Sequence, residues 1–118
     1  MSYWGYHLML DCKGCNENVS NKEAIYNFCK TLVKDIDMVA HGEPMIEFML
    51  PGDPKQGYTL LQLITTSNIS CHFMDFDRTA YLDVFSCKEF EPNIVKKIFQ
   101  DYFNPEKMRV NYITRHAD

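Results

Sequence analysis

The chain has no block of basic residues. Its 12 Lys and Arg and 16 Asp and Glu are scattered, giving a formal charge of -4 and a pI near 5.5. A surface that tracks a phosphate backbone or an anionic bilayer needs clustered cations, so neither nucleic acid nor a membrane surface is an expected partner. Nowhere do about 18 apolar residues run uninterrupted, the length a membrane-spanning helix requires. No charged segment followed by an apolar run opens the sequence as an export signal would, and the expected compartment is the cytoplasm. Metal ligands in a recognisable pattern are missing too. "CKGC" at 12–15 is one Cys pair without a second, whereas a structural zinc site needs four ligands. The histidines at 7, 41, 72 and 116 include no pair at helical ligand spacing, so no metal is expected, and His41 and His116 read as surface or turn positions. Five cysteines is an odd number, which leaves at least one unpaired in a monomer. Linkers, low-complexity tracts and charge runs are likewise absent. With 118 residues, 46% hydrophobic and 14% aromatic, residues 1–118 have the size and core content of a single domain.

What is present reads as alternating strands and two amphipathic helices. "YWGYHLMLD" (3–11) alternates as a strand does, and Gly14, Asn16 and Asn18 then break it. Ser20 and Glu23 make a capping box ahead of an apolar stripe at Ile25, Phe28, Cys29, Leu32, Val33 and Ile36. A strand is predicted over 43–50, followed by "PGDPKQG", whose prolines and glycines no regular element tolerates. Strands are predicted over 58–66, 69–75 and 79–86, the first two separated by Ser67 and Asn68. Pro92 suits the first turn of a second helix carrying Ile94, Val95, Ile98, Phe99, Tyr102 and Phe103, and "KMRVNYIT" closes as a strand. Each helix has one apolar face to cover. The order β, α, β, β, β, β, α, β therefore predicts an α+β two-layer sandwich, a mostly antiparallel sheet of about six strands covered on one face by two helices. The two halves, 3–66 and 69–118, suggest a structural duplication without a residue-level repeat.

The chemistry concentrates at "TSNISCHF" (66–73) and, after a strand, at "DVFSC" (83–87). His72 lies five residues after Ser67 and Cys87 twenty after it. This spacing resembles the bacterial and archaeal type of S-adenosylmethionine decarboxylase, in which Ser-x-Ile-Ser-x-His precedes a strand ending Asp-Val-Phe-Thr-Cys. "GYHLMLDCKGC" is similar to that family's Gly-x-His-Leu opening, and the resemblance spans nearly the whole chain.

The resemblance implies a proenzyme of polyamine biosynthesis that cuts itself before Ser67, so that Ser67 becomes a pyruvoyl cofactor able to form a Schiff base with an amino-acid substrate. A hydroxyl nucleophile needs a base and a held carbonyl, which His72 and Ser70, two residues apart on one strand face, would support during processing. Cys87 would be the proton donor in turnover. The family carries Glu before the cleavage serine and His after it, where this chain has Thr66 and Asn68. On the substrate side Thr59 keeps a hydroxyl, Asp75 or Asp77 replaces a ribose-binding acid out of register, and Phe48 or Tyr58 would replace an aromatic missing from "DPKQG". S-adenosylmethionine is the first expected substrate. The alternatives are the same chemistry on arginine or ornithine, with Asp75 or Asp77 receiving the cation, or an uncleaved homologue that binds a metabolite or protein partner. The resemblance also implies a homodimer of processed protomers.

Overall fold

The computed structural model describes residues 3–118. Its elements follow the expected order: β1 (Gly5–Lys13), a 3-10 turn (Glu17–Ser20), α1 (Lys22–Asp35), β2 (Met45–Met49), β3 (Gly57–Ile64), β4 (Ser67–Phe73), β5 (Ala80–Ser86), α2 (Pro92–Phe103) and β6 (Lys107–Arg115). The strands form one sheet in the order β2-β3-β4-β5-β1-β6, with every neighbouring pair antiparallel. The α+β two-layer sandwich expected from the pattern is the fold observed.

Two boundaries differ from expectation for local reasons. Asn21, not Ser20, caps α1, its side-chain oxygen accepting from the Ala24 N–H at 3.1 Å, while Ser20 Oγ turns away to donate to Asp75 Oδ1 at 2.7 Å. Asn is as good a cap as Ser, so the competition is settled by the tertiary partner. The β3–β4 turn falls on Thr65 and Thr66, two residues earlier than expected, so that Ser67 and Asn68 belong to β4. Thr favours strands and Ser-Asn favours turns, but here bonds from outside the hairpin decide.

Both helices cover the same face of the sheet. Leu8, Leu10, Leu60, Ile69, Cys71, Phe73, Leu82 and Val84 point to it from alternate strand positions, against Ile25, Phe28, Leu32, Val95, Phe99 and Phe103 of the helices. Phe28 meets Phe99 and Phe103 edge-on with centroids 5.6 and 5.0 Å away, geometry that aromatic quadrupoles favour. Each such side chain contributes about 1.5–3 kcal/mol by leaving water. The opposite face carries Leu61 and Leu63 of β3, Asn68, Ser70 and His72 of β4, Tyr81, Asp83 and Phe85 of β5 and His7 and Met9 of β1. No element among the described residues covers it, and Leu61, Leu63 and Tyr81 are exposed. At its centre His7 Nε2 lies 3.0 Å from Asp83 Oδ1.

Candidate active site

The hairpin that carries Ser67 is held from outside. Two-residue hairpin loops match strand twist best when a central residue has positive φ, usually Gly or Asn. Neither Thr65 nor Thr66 does. Instead the segment after α1 runs alongside: Thr65 N–H donates to the Val39 carbonyl, His41 N–H to the Leu63 carbonyl, both at 2.9 Å, and Ala40 bridges to Ile64. Lys88 anchors this strap by donating from Nζ to the Asp37 carbonyl at 2.6 Å and to its carboxylate at 2.9 Å.

The carbonyl of Thr66 accepts from the Cys87 N–H at 2.9 Å. This is the carbonyl that the Ser67 hydroxyl must attack for the chain to cut itself, and a backbone donor on its oxygen would stabilise the negative charge that develops there. Ser67 opens β4 opposite Ser86, and its Oγ accepts a long, 3.4 Å bond from the Asn68 amide. Below the turn, Ser86 Oγ donates to Thr66 Oγ1 at 2.7 Å, Thr66 Oγ1 donates to Met38 Sδ at 3.4 Å, and Lys88 N–H donates to Ser86 Oγ at 3.0 Å. Cys87 follows β5 directly and is the exposed one of five free thiols. Burial pushes Cys12 and Cys29 up to about 12 and Cys15 to about 11, and Cys71, fully buried, well above the ordinary range. Burial therefore favours the neutral thiol at those four positions.

His72 lies elsewhere. It projects from the open face near the far end of β4, five residues from Ser67, which at about 3.3 Å per residue is roughly 16 Å. Its Nδ1 is 3.2 Å from Thr59 Oγ1 on β3. With Lys55, Met74, Asp77, Thr79 and Tyr81 it lines a cavity of about 290 Å³. Gly57 keeps this end tight, since a Cβ there would sit 1.7 Å from the Phe73 carbonyl oxygen. Thus Ser67 and Cys87 come together at one end of β4, and His72, Thr59 and Asp77 at the other. Ser70 shares the open face with His72, as its spacing implies, and stands opposite Asp83.

The remaining expected substrate residues are placed differently. Both carboxylate oxygens of Asp75 are engaged, one by Ser20 Oγ and the other by Gln56 Nε2 at 2.9 Å, which ties three loops together. Asp77 closes its own turn, with Oδ1 accepting from Thr79 N–H and Oγ1. Phe48 lies on the helix-covered side of edge strand β2, edge-on to Tyr58 at 5.4 Å, away from the Thr59–His72 pair. Sequence reasoning passed over Met38 and the strap, for which no local pattern existed. Ser86 was legible in principle, because it continues the buried phase of Ala80, Leu82 and Val84.

Comparison with known proteins shows the family and the fold. A family model described as S-adenosylmethionine decarboxylase matches residues 6–116. An S-adenosylmethionine decarboxylase proenzyme of Clostridium botulinum is 27% identical over 117 residues, spanning 98% of this chain and 97% of its own length. One from Thermomicrobium roseum is 22% identical over 116 residues, spanning 98% and 96%. The crystal structure of the adenosylmethionine decarboxylase from Aquifex aeolicus shares the fold, with a TM-score of 0.83 at 20% identity over 100% of this chain and 95% of that one. The chain belongs to the S-adenosylmethionine decarboxylase family.

Proposed function

We propose that the chain is a self-processing, pyruvoyl-dependent decarboxylase of polyamine biosynthesis acting on S-adenosylmethionine. The observation that carries this reading is the Cys87 N–H on the Thr66 carbonyl, a charge-stabilising donor at the bond to be cut, with the Ser67 hydroxyl on the next residue. In cleavage Ser67 Oγ adds to the Thr66 carbonyl carbon and the Thr66–Ser67 C–N bond breaks, giving an ester and a free amine. Loss of the Ser67 α-proton then expels the Thr66 carboxylate, and water replaces the nitrogen, which leaves as ammonia. The residues at this position fit the group to be formed, since Ser67 supplies every carbon of it and Cys87 is exposed beside it. The ketone so formed supplies the electron sink that decarboxylation of an amino acid requires. Cys87 would hold the proton delivered to the substrate's α-carbon, and His72 with Thr59 would orient reacting groups.

Within one protomer these halves stand roughly 16 Å apart, beyond any hydrogen bond. A face-to-face homodimer would shorten the separation. Two open faces stacked about a two-fold axis with strands antiparallel would bring the Ser67 end of β4 in one protomer over the His72 end in the other, at a sheet spacing of about 10 Å. Leu61, Leu63 and Tyr81 would be buried in that interface.

A second reading keeps the chemistry and changes the substrate. Asp77 lines the cavity beside His72, and a carboxylate there would pair with the cationic side chain of arginine or ornithine. Carbon dioxide release from S-adenosylmethionine, arginine and ornithine, each with and without phenylhydrazine to block a ketone, tests both. Phenylhydrazine-sensitive release from S-adenosylmethionine is expected. Release only from arginine or ornithine would establish the second reading, and none from any would leave a non-catalytic homologue.

A further inference from the structure

Only two polar side chains among the described residues are buried, Gln62 and Ser86. Gln62 has a structural explanation: its Nε2 donates to the Gly42 and Leu63 carbonyls, and Cys29 Sγ donates to its Oε1. Ser86 Oγ accepts from the Lys88 N–H at 3.0 Å and lies 3.6 Å from Met38 Sδ, and it has one further partner that bears on the cleaved bond. It lies at the end of β5, in register with Ser67, and donates to the side chain of the residue whose carbonyl must be attacked.

We propose that Ser86 is the positioning residue of self-cleavage, acting through the Thr66 side chain, with Met38 as the acceptor beneath; this rests on the reading of Thr66–Ser67 as the cleaved bond. Lys88 N–H donates to Ser86 Oγ, Ser86 O–H faces both Thr66 Oγ1 at 2.7 Å and Met38 Sδ at 3.6 Å, and Thr66 O–H donates to the same sulfur at 3.4 Å. The two hydroxyls converge on one sulfur, and of the two acceptors open to the Ser86 proton the Thr66 oxygen is much the nearer, so the 2.7 Å bond between the hydroxyls sets the Thr66 rotamer. With the side chain fixed and the Cys87 N–H on the carbonyl oxygen, the Thr66 carbonyl group is held at two points, one on each side of the carbon that Ser67 Oγ must reach. Positioning of this kind lowers the barrier by removing rotational freedom from the reacting group.

Met38 is 8% exposed and Ser86 fully buried, so the sulfur and the serine hydroxyl are screened from water while Thr66 stays partly exposed. The hydroxyl of Thr66 suits a thioether acceptor. Thr66, Ser86 and Met38 therefore form one matched unit.

The test follows cleavage by intact mass over time after refolding from denaturant. Loss of the Ser86 hydroxyl in Ser86→Ala is expected to slow cleavage about tenfold, while Ser86→Thr, which keeps a hydroxyl at the same place, restores it. Thr66→Val, isosteric but without a hydroxyl, should slow cleavage by a similar factor. The double variant Ser86→Ala/Thr66→Val should be no slower than the worse single one, because both remove the same bond. A purely structural role would instead give additive losses and no rescue by threonine. If the wild-type chain cleaves and Ser86→Ala and Thr66→Val cleave at its rate, the positioning role is overturned and the cleavage reading stands. A wild-type chain that never cleaves overturns both.

Discussion

Mixing two inactive variants separates a site built from two protomers from a site built within one. Ser67→Ala removes the nucleophile and His72→Ala the imidazole, and each alone is expected to stay uncut. The five residue steps from Ser67 to His72 span roughly 16 Å of extended strand, while a proton transfer needs heavy atoms about 3 Å apart, so His72 would serve the Ser67 of its partner. In a mixed dimer one site then holds both defects and the other neither. Random pairing of equal amounts makes half the dimers mixed, so about half of the His72→Ala chains, and a quarter of all chains, would be cut. The two variants are denatured together, refolded at equal concentration and analysed by intact mass, with each refolded alone as control. Cleavage of His72→Ala chains only in the mixture is the expected result. No cleavage in the mixture, with wild-type chains cut under the same conditions, would refute the shared site. Efficient cleavage of His72→Ala alone would remove His72 from processing altogether.

Other consequences are simpler. In the native uncleaved chain Cys87 should react with a disulfide reagent such as Ellman's reagent well before the other four thiols, which unfolding then releases; reaction of a second thiol at a similar rate would contradict the burial assigned to Cys12, Cys15, Cys29 and Cys71. Because burial raises the pKa of those four above the ordinary value of 9.0, the folded state keeps protons that the unfolded state loses. Their contribution is intact below about pH 9 and is lost as pH rises toward their folded values, so the urea midpoint should fall as pH rises from about 9 to about 11, and less steeply in Cys71→Ala. Gly57→Ala must displace the Phe73 carbonyl, which we expect to cost about 3 kcal/mol or more, visible as a fall in melting temperature of about 10 °C or more. A fall of only a degree or two would mean that the β3–β4 contact yields easily.

The amphipathic stripes of α1 and α2 and the alternation in β1, β5 and β6 were readable because each buries one face against a single sheet, which imposes its period on the chain. The β3–β4 turn was not. Thr65 and Thr66 carry strand propensity, and what bends the chain there is the backbone of Val39 and His41, more than twenty residues upstream. The same limit applied to the site. Ser67, His72 and Cys87 stood out by their spacing, but the spacing alone did not show the nucleophile and the imidazole to be at opposite ends of one strand. Asp75 looked free for a ligand until Ser20 and Gln56 were found on both of its oxygens. Met38 carries no sequence signal at all, since a methionine three residues beyond a helix is more often simple packing.

The intact mass of the purified protein under denaturing conditions tests self-cleavage most directly. Cutting before Ser67 predicts two chains of 66 and 52 residues, the second blocked against Edman degradation and reactive toward phenylhydrazine. A single 118-residue chain that persists through prolonged incubation after refolding would contradict it.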